Sequence, residues 1–304
     1  MELELQKEDF LPVPAIAAGE TSKLEIEGKE KKALSEPPQK RGFVSVRHIR
    51  KVYRIGDEKV VALGDINLEI RQGQIVCIIG TSGSGKSTLL NQLAGLEKPT
   101  KGSVYIGNTN ISRLDENQLA SFRQRHLGFV FQSYNLLPTL SALENVALPM
   151  IFRGVPKVKR DKAAMAMLAA VGLKKRAHHR PTQMSGGQQQ RVGIARAFVT
   201  RPKVIFADEP TGNLDTKTTI SIMQMMVRFA RKYHETLVIV THDPEIAEYA
   251  DRVVTLIDGA ITSDQEQTPI YDVGEASPEE TLLEEALPVA AEPKLQGDAE
   301  EKNQ

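Results

Sequence analysis

The apolar runs in this chain come in two kinds. Ile66-Asn67-Leu68-Glu69-Ile70 alternates apolar and polar residues, the period of a strand with one face in water. Ile75-Val76-Cys77-Ile78-Ile79 and Val204-Ile205-Phe206-Ala207 are short and wholly apolar, as strands buried on both faces of a parallel sheet are. Leu237-Val238-Ile239-Val240 is the last clear strand of the series. Further strands are predicted at Phe43–Val46, Val60–Leu63, Ser103–Gly107 and Gly128–Gln132, with turns at Arg71–Gln74 and Lys98–Gly102. A closing hairpin, Arg252–Leu256 and Ile261, turns at Asp258-Gly259. Between the strands lie a polar helical stretch over 113–125 and a long helical pattern from about Leu140 to Arg180. Another helix runs from Met184–Arg191 through Phe198, and one more ends near Tyr233. Met165, Met167, Leu168 and Val171 form an apolar stripe, read as core packing.

Three strand ends carry the chemistry. Gly80-Thr81-Ser82-Gly83-Ser84-Gly85-Lys86-Ser87 follows the Ile75–Ile79 strand and precedes a helix starting at Ser87-Thr88-Leu89-Leu90, which fits the G-x-x-x-x-G-K-[ST] phosphate loop. Glycines let backbone N–H groups converge on phosphate oxygens, and a helix N-terminus adds partial positive charge. In such a loop Lys86 reaches the β- and γ-phosphates and the Ser87 hydroxyl sits on Mg²⁺. A glycine-rich turn without a ligand is the plain alternative, and the order strand, loop, helix argues against it.

The Val204–Ala207 strand ends on Asp208-Glu209, where Asp208 fits a Mg²⁺-linked aspartate and Glu209 is placed to polarise water. His242 follows the Leu237–Val240 strand, at the edge where ligands gather in open α/β sheets, which favours a phosphate contact over a structural role. Ser185-Gly186-Gly187-Gln188 opens a helix and offers a second backbone cradle for an anion, although Ser-Gly-Gly is also an ordinary loop. Tyr53 lies between the first strands, where a ring either packs or stacks on a base; the residues alone favour packing. His178 and His179 are adjacent, the wrong spacing for two ligands on one helix face, and read as a solvated loop before Pro181.

Composition narrows the classes. The 304 residues hold 39 Lys+Arg against 39 Asp+Glu and only 5% aromatics, a poor basis for general nucleic-acid binding. The single cysteine, Cys77, lies inside a predicted strand and is expected to act as a small buried hydrophobe. No apolar stretch approaches a bilayer span, and Met1–Asp9 is too acidic for a secretory signal, so a cytoplasmic protein is expected. Residues 1–41 read as a disordered arm. Residues 265–304 carry eleven acidic residues against two lysines, with four prolines, and read as an acidic disordered tail. Within that tail, Leu282-Leu283-Glu284-Glu285-Ala286-Leu287 is a possible docking turn, but a solvated tail is the simpler reading.

With Ser-Gly-Gly-Gln between a phosphate loop and a strand ending in Asp-Glu, residues 43–263 resemble the ABC transporter ATPase subunits. Phe131–Pro138 and Asp208–Asp215 are similar to one branch, which contains the lipoprotein-release, macrolide-export, antimicrobial-peptide-resistance and cell-division ATPases. The resemblance implies an α/β phosphate-loop NTPase fold over 42–264, with a RecA-like core, an antiparallel β subdomain and a helical signature subdomain over about 133–185. It implies ATP and Mg²⁺ as cofactors. Gly80 through Thr88 would bind nucleotide, Tyr53 would stack on adenine, and Ser87, Asp208 and Gln132 would serve the metal.

Glu209 would be the general base, with Lys86, Gln132 and His242 completing the catalytic set, His242 through the γ-phosphate. Ser185, Gly186, Gly187 and Gln188 would meet ATP held by a second copy of the chain, with Asp215 at that interface. The partner would be an integral membrane permease, which places the chain peripherally on the cytoplasmic face of the cell membrane. Regulatory cell-division ATPases without transport share every motif, while soluble ribosome or DNA-repair members carry second cassettes or coiled coils not seen here. Met184 stands where leucine is usual, a volume-conserving exchange.

Overall fold

The computed structural model describes residues 42–270. The expectations for residues 1–41 and for Leu282–Leu287 lie outside the described residues. No described helix is long and apolar enough to cross a membrane.

The chain opens with a long hairpin. Strands β1 (Val44–Ile55) and β2 (Glu58–Ile70) pair antiparallel across a turn at Gly56, whose φ of +62° suits glycine. The strand predictions at Val60–Leu63 and Ile66–Ile70 are one continuous β2, because the pairing with β1 carries through an irregular register around Gly64-Asp65. Tyr53 falls within β1 rather than between strands, opposite Val60. With β4 (Lys101–Ile106) and the short β5 (Thr109–Asn110), this hairpin forms a four-stranded antiparallel sheet in the order β2-β1-β4-β5.

The second sheet has six strands in the order β10-β9-β3-β8-β7-β6. Here β3 (Ile75–Ile79), β6 (Leu127–Phe131), β7 (Val204–Asp208), β8 (Thr236–Thr241) and β9 (Arg252–Ile257) run parallel. β10 (Ala260–Glu266) closes the edge antiparallel to β9. The turn between them, Asp258-Gly259, has φ of +46° and +73°, the positive pair that a two-residue type I′ hairpin requires. β10 continues past the composition shift at Gln265, pairing Gln265 with Val253 and Glu266 with Arg252.

Two hydrophobic clusters sandwich the parallel sheet. Val76 and Ile78 of β3 pack with the antiparallel sheet and α1 (Lys86–Leu93), while Ile75 and Cys77 face the helical side. The period-2 alternation along a fully buried strand is why β3 carries no polar residue. On the helical side lie α3 (Ala142–Phe152), α4 (Lys157–Ala170), α5 (Gly186–Phe198) and α6 (Thr216–Lys232). The predicted helical pattern over 140–180 is two helices, parted by Gly154 at φ +70° and by Pro156, with three-residue 3-10 turns at Lys174–Arg176 and Pro181–Gln183. Met167, Leu168 and Val171 are fully buried and Met165 packs against them, as the stripe predicted.

Helix α2 (Glu116–His126) begins later than the pattern suggested. Asp115 accepts from the Gln118 N–H at 2.8 Å and Gln118 returns a bond to the Asp115 N–H at 2.9 Å, a capping box that sets the start. Across the helical side, the Arg153 guanidinium donates to the carbonyls of Gln124, Arg125 and Thr200 at 2.9–3.0 Å, tying the end of α3 to the ends of α2 and α5. Cations at helix C-termini are favoured by the peptide dipoles, so a half-buried guanidinium held by carbonyls is tolerated there.

Candidate nucleotide-binding and catalytic site

Strand register assembles the site. Ile79 pairs with Thr241 across β3–β8, and Asp208 pairs with Val240 across β8–β7. The residues that follow these strand ends therefore share one edge of the sheet, Gly80 after β3, Glu209 after β7 and His242 after β8. They border an open cleft of about 860 Å³, lined by the phosphate-loop residues with Glu209, His242, Pro244, Ala62, Thr255 and Ile257.

The loop is built around backbone approach. A Cβ on Gly80 would collide with the Leu256 carbonyl, and one on Gly85, at φ +99°, would lie 2.6 Å from the Ala62 carbonyl oxygen. Gly83, at φ +81°, faces open space. Ser84 donates its N–H to the Thr81 carbonyl at 3.2 Å, and its own carbonyl accepts from Gly259 at 2.9 Å. Lys86 is largely buried, and its Nζ donates to the Gly80 and Thr81 carbonyls at 2.8 Å each. Its ammonium thus stands inside the loop, satisfied by carbonyls that a polyphosphate would replace with stronger acceptors. Loop, buried cation and helix N-terminus are the donor set a polyphosphate requires, and they fit one.

The two carboxylates differ in environment. Asp208 is half-buried, and burial pushes its carboxyl above the usual range, with the Glu209 charge adding and the Ser87 hydrogen bond and Lys86 opposing. The Ser87 hydroxyl donates to Asp208 Oδ1 at 3.4 Å. A hydroxyl and a carboxylate facing each other beside a phosphate loop are hard oxygen ligands suited to Mg²⁺. Glu209 is fixed instead by its own side-chain bonds. Oε2 accepts from the Thr241 hydroxyl at 3.1 Å, and Oε1 lies 2.8 Å from His242 Nδ1. Its backbone is left-handed at φ +45°, which costs a non-glycine residue roughly 1–2 kcal/mol. The Glu209 N–H to the Val240 carbonyl, at 2.9 Å, and the two side-chain contacts offset that cost, since hydrogen bonds to a charged group contribute about 1.5–3 kcal/mol each.

Not every predicted site residue lies on the cleft. The Tyr53 phenol donates to Glu97 Oε2 at 2.7 Å and also bonds the side chain of Thr88, which does line the cleft. Gln132 follows β6, where its amide sits against Gly212 and its carbonyl accepts from Asn213 Nδ2 at 3.2 Å. Ser185, Gly186, Gly187 and Gln188 open α5 through a capping box, Ser185 accepting from the Gln188 N–H. Their neighbours are Tyr134, Leu214 and Thr218, away from the phosphate loop. Asp215 caps α6, accepting from the Thr218 N–H at 3.0 Å and its hydroxyl at 2.6 Å, bonds that hold its carboxyl below the usual range.

Sequence reasoning missed three supporting features. Thr241, immediately before His242, anchors Glu209. Ala62 and the Asp258-Gly259 turn brace the phosphate loop from two sides. Glu97 holds Tyr53. Cys77 is as expected: burial, with the Glu209 and Asp243 charges, pushes its thiol up to about 12, so it is inert at neutral pH.

Comparison with known proteins agrees with this geometry. The chain matches the ABC transporter family over residues 63–212. It is 51% identical over 224 residues to an uncharacterised ABC transporter ATP-binding protein of Thermotoga maritima, covering 73% of this chain and 94% of the relative. It is 46% identical over 223 residues to the macrolide export ATP-binding/permease protein MacB of Bradyrhizobium diazoefficiens, where it spans 34% of the relative's length. The dimeric structure of MJ0796, an ABC transporter cassette, superposes with a TM-score of 0.70 at 44% identity, covering 73% of this chain and 98% of that one. A second MJ0796 dimer, in a post-hydrolysis state bound to ADP and Pi, superposes with a TM-score of 0.69. The chain belongs to the ABC transporter family, as an ATP-binding and ATP-hydrolysing cassette.

Proposed function

We propose that this cassette works as a homodimer that closes on two MgATP molecules and drives a separate membrane permease of the export or lipoprotein-release type. The observation that carries the reading is the Glu209 carboxylate, held by Thr241 and His242 at the mouth of the phosphate-loop cleft. A carboxylate so oriented aligns a water for in-line attack on the γ-phosphate and accepts its proton. Lys86 and His242 stabilise charge on the transferred phosphoryl group, and the loop N–H groups hold the β-phosphate. Mg²⁺, when bound at Ser87 and Asp208 with Gln132 nearby, neutralises phosphate charge. Tyr53 carries the adenine.

In this reading Ser185–Gln188 complete the site of the opposite subunit, which accounts for their distance from their own phosphate loop. The cassette body starts at 42 and runs through the end of β10 at Glu266, with its helical subdomain at about 133–185. The permease docks in an apolar groove between β6 and helices α3 and α5, bordered by Phe129, Phe131, Leu148 and Phe152, with Arg123 and Arg196 also lining it. Phe152 is 67% exposed, and Gln132 directly follows Phe131, so the groove and the metal-sensing residue share one strand end. Such docking places the chain on the cytoplasmic face of the membrane.

The test is capture of Glu209→Gln with ATP from gently solubilised native membranes. Co-purification of an integral membrane protein that Phe152→Asp no longer captures supports the reading. Recovery of soluble partners alone contradicts it and leaves the ATPase assignment standing.

A further inference from the structure

Tyr53 is held by a carboxylate to which no motif points. Its phenol donates to Glu97 Oε2 at 2.7 Å. The other oxygen, Oε1, accepts from Asn91 Nδ2 at 3.2 Å, and Asn91 sits on α1, the helix that the phosphate loop opens. Lys51 Nζ lies 3.0 Å from Glu97 Oε2, donates to the Lys98 carbonyl at 2.9 Å, and stands 5.1 Å from the centroid of the Tyr53 ring. Glu97 therefore joins β1, through Tyr53 and Lys51, to α1, through Asn91. Burial pushes the Glu97 carboxyl up, but the bonds from Tyr53, Lys51 and Asn91 outweigh it and hold the group below the usual range.

We propose that Glu97 is a positioning residue for the nucleotide base, fixing the plane of the Tyr53 ring relative to the phosphate loop before ATP arrives. The proposal rests on the reading of Tyr53 as the adenine platform. A tyrosine without the tether loses rotamer freedom when the base binds, whereas a tethered ring has lost it already. Lys51 sits over the ring, attracted by its π-system, which adds a second hold on the ring. Because Asn91 lies on the helix that the phosphate loop opens, the distance between base and phosphate sites becomes a property of the fold rather than of the ligand.

The full-length chain tests this through steady-state hydrolysis and through binding of inorganic tripolyphosphate, which has phosphates and no base. Glu97→Ala is expected to raise KM for ATP about tenfold with kcat little changed, and to leave tripolyphosphate affinity unaltered. Tyr53→Phe, which keeps the ring and loses the tether, should match it, and the double variant should be no worse than either. Glu97→Gln, which retains an acceptor for the phenol, should restore most of the affinity. Equal weakening of ATP and tripolyphosphate binding by Glu97→Ala would overturn the proposal, as would a fall in kcat at constant KM. If Tyr53→Ala weakens ATP binding and Glu97→Ala does not, the role of Glu97 alone fails. If Tyr53→Ala leaves ATP affinity unchanged, the platform reading fails and the proposal with it.

Discussion

His242 Nδ1 lies 2.8 Å from Glu209 Oε1, so the residue after β8 holds the residue after β7. With Thr241 on the second oxygen, the carboxylate is oriented before substrate arrives. His242→Ala is therefore expected to lower kcat about 10²-fold while ATP affinity changes little, read by phosphate release at saturating ATP. A kcat near wild type would show that Thr241 alone orients the base.

Glu209→Gln keeps the shape of the side chain and removes the carboxylate proposed to accept the proton. Turnover should fall roughly 10²–10⁴-fold, the contribution of a positioned base. Turnover near wild type would remove Glu209 from that role.

Lys86→Ala removes the ammonium that the Gly80 and Thr81 carbonyls hold inside the loop. Nucleotide affinity, rather than the chemical step alone, should fall, since a charge-assisted contact to phosphate contributes about 1.5–3 kcal/mol. Calorimetric titration with ATP checks this, and an unchanged affinity contradicts it.

Gly259→Ala probes the brace behind the phosphate loop. The new Cβ would sit 2.6 Å from the Ala62 carbonyl oxygen at a φ of +73°. A destabilisation of about 1–3 kcal/mol is expected in denaturant unfolding, with weaker ATP binding because the Gly259 N–H holds the Ser84 carbonyl.

Glu235 supplies a pH dependence remote from the nucleotide. It is 3% exposed, neither carboxylate oxygen has a hydrogen-bond partner among the described residues, and burial pushes its carboxyl well above the usual value, with the Arg201 charge opposing. A raised carboxyl pKa means the native state binds the proton that the unfolded chain has released. Its contribution to stability is therefore greatest below the usual carboxylate pKa and falls as pH rises toward the native value. Glu235→Gln should flatten that part of the stability–pH curve and raise the melting temperature at neutral pH. An unchanged curve would show that the group does not titrate in this way.

Much of this site is legible in the sequence, because local constraints mark it. Strands buried on both faces carry unbroken apolar runs, Ile75–Ile79, Val204–Ala207 and Leu237–Val240, and the residues after those runs then stand out, with Gly80, Asp208-Glu209 and His242 among them. The Asp258-Gly259 turn is legible because a type I′ hairpin demands that pair. What is not legible depends on distant pairing. The unity of β2 comes from its ladder with β1 across the irregularity at Gly64-Asp65, and its own residues do not show it. Glu97 reads as one more acid in a polar turn until Tyr53, 44 residues earlier, folds onto it. The helical pattern over 140–180 hides its break, because Pro149 is accommodated inside α3 while Gly154 and Pro156 end it.

Sedimentation of Glu209→Gln with and without MgATP reads out whether ATP closes two cassettes and its hydrolysis opens them. The variant is expected to be a monomer without nucleotide and a stable dimer holding two ATP molecules with it, dispersed by Ser185→Arg at the signature helix. A protein that stays monomeric at saturating MgATP, or a dimer indifferent to nucleotide and to Ser185→Arg, would contradict it.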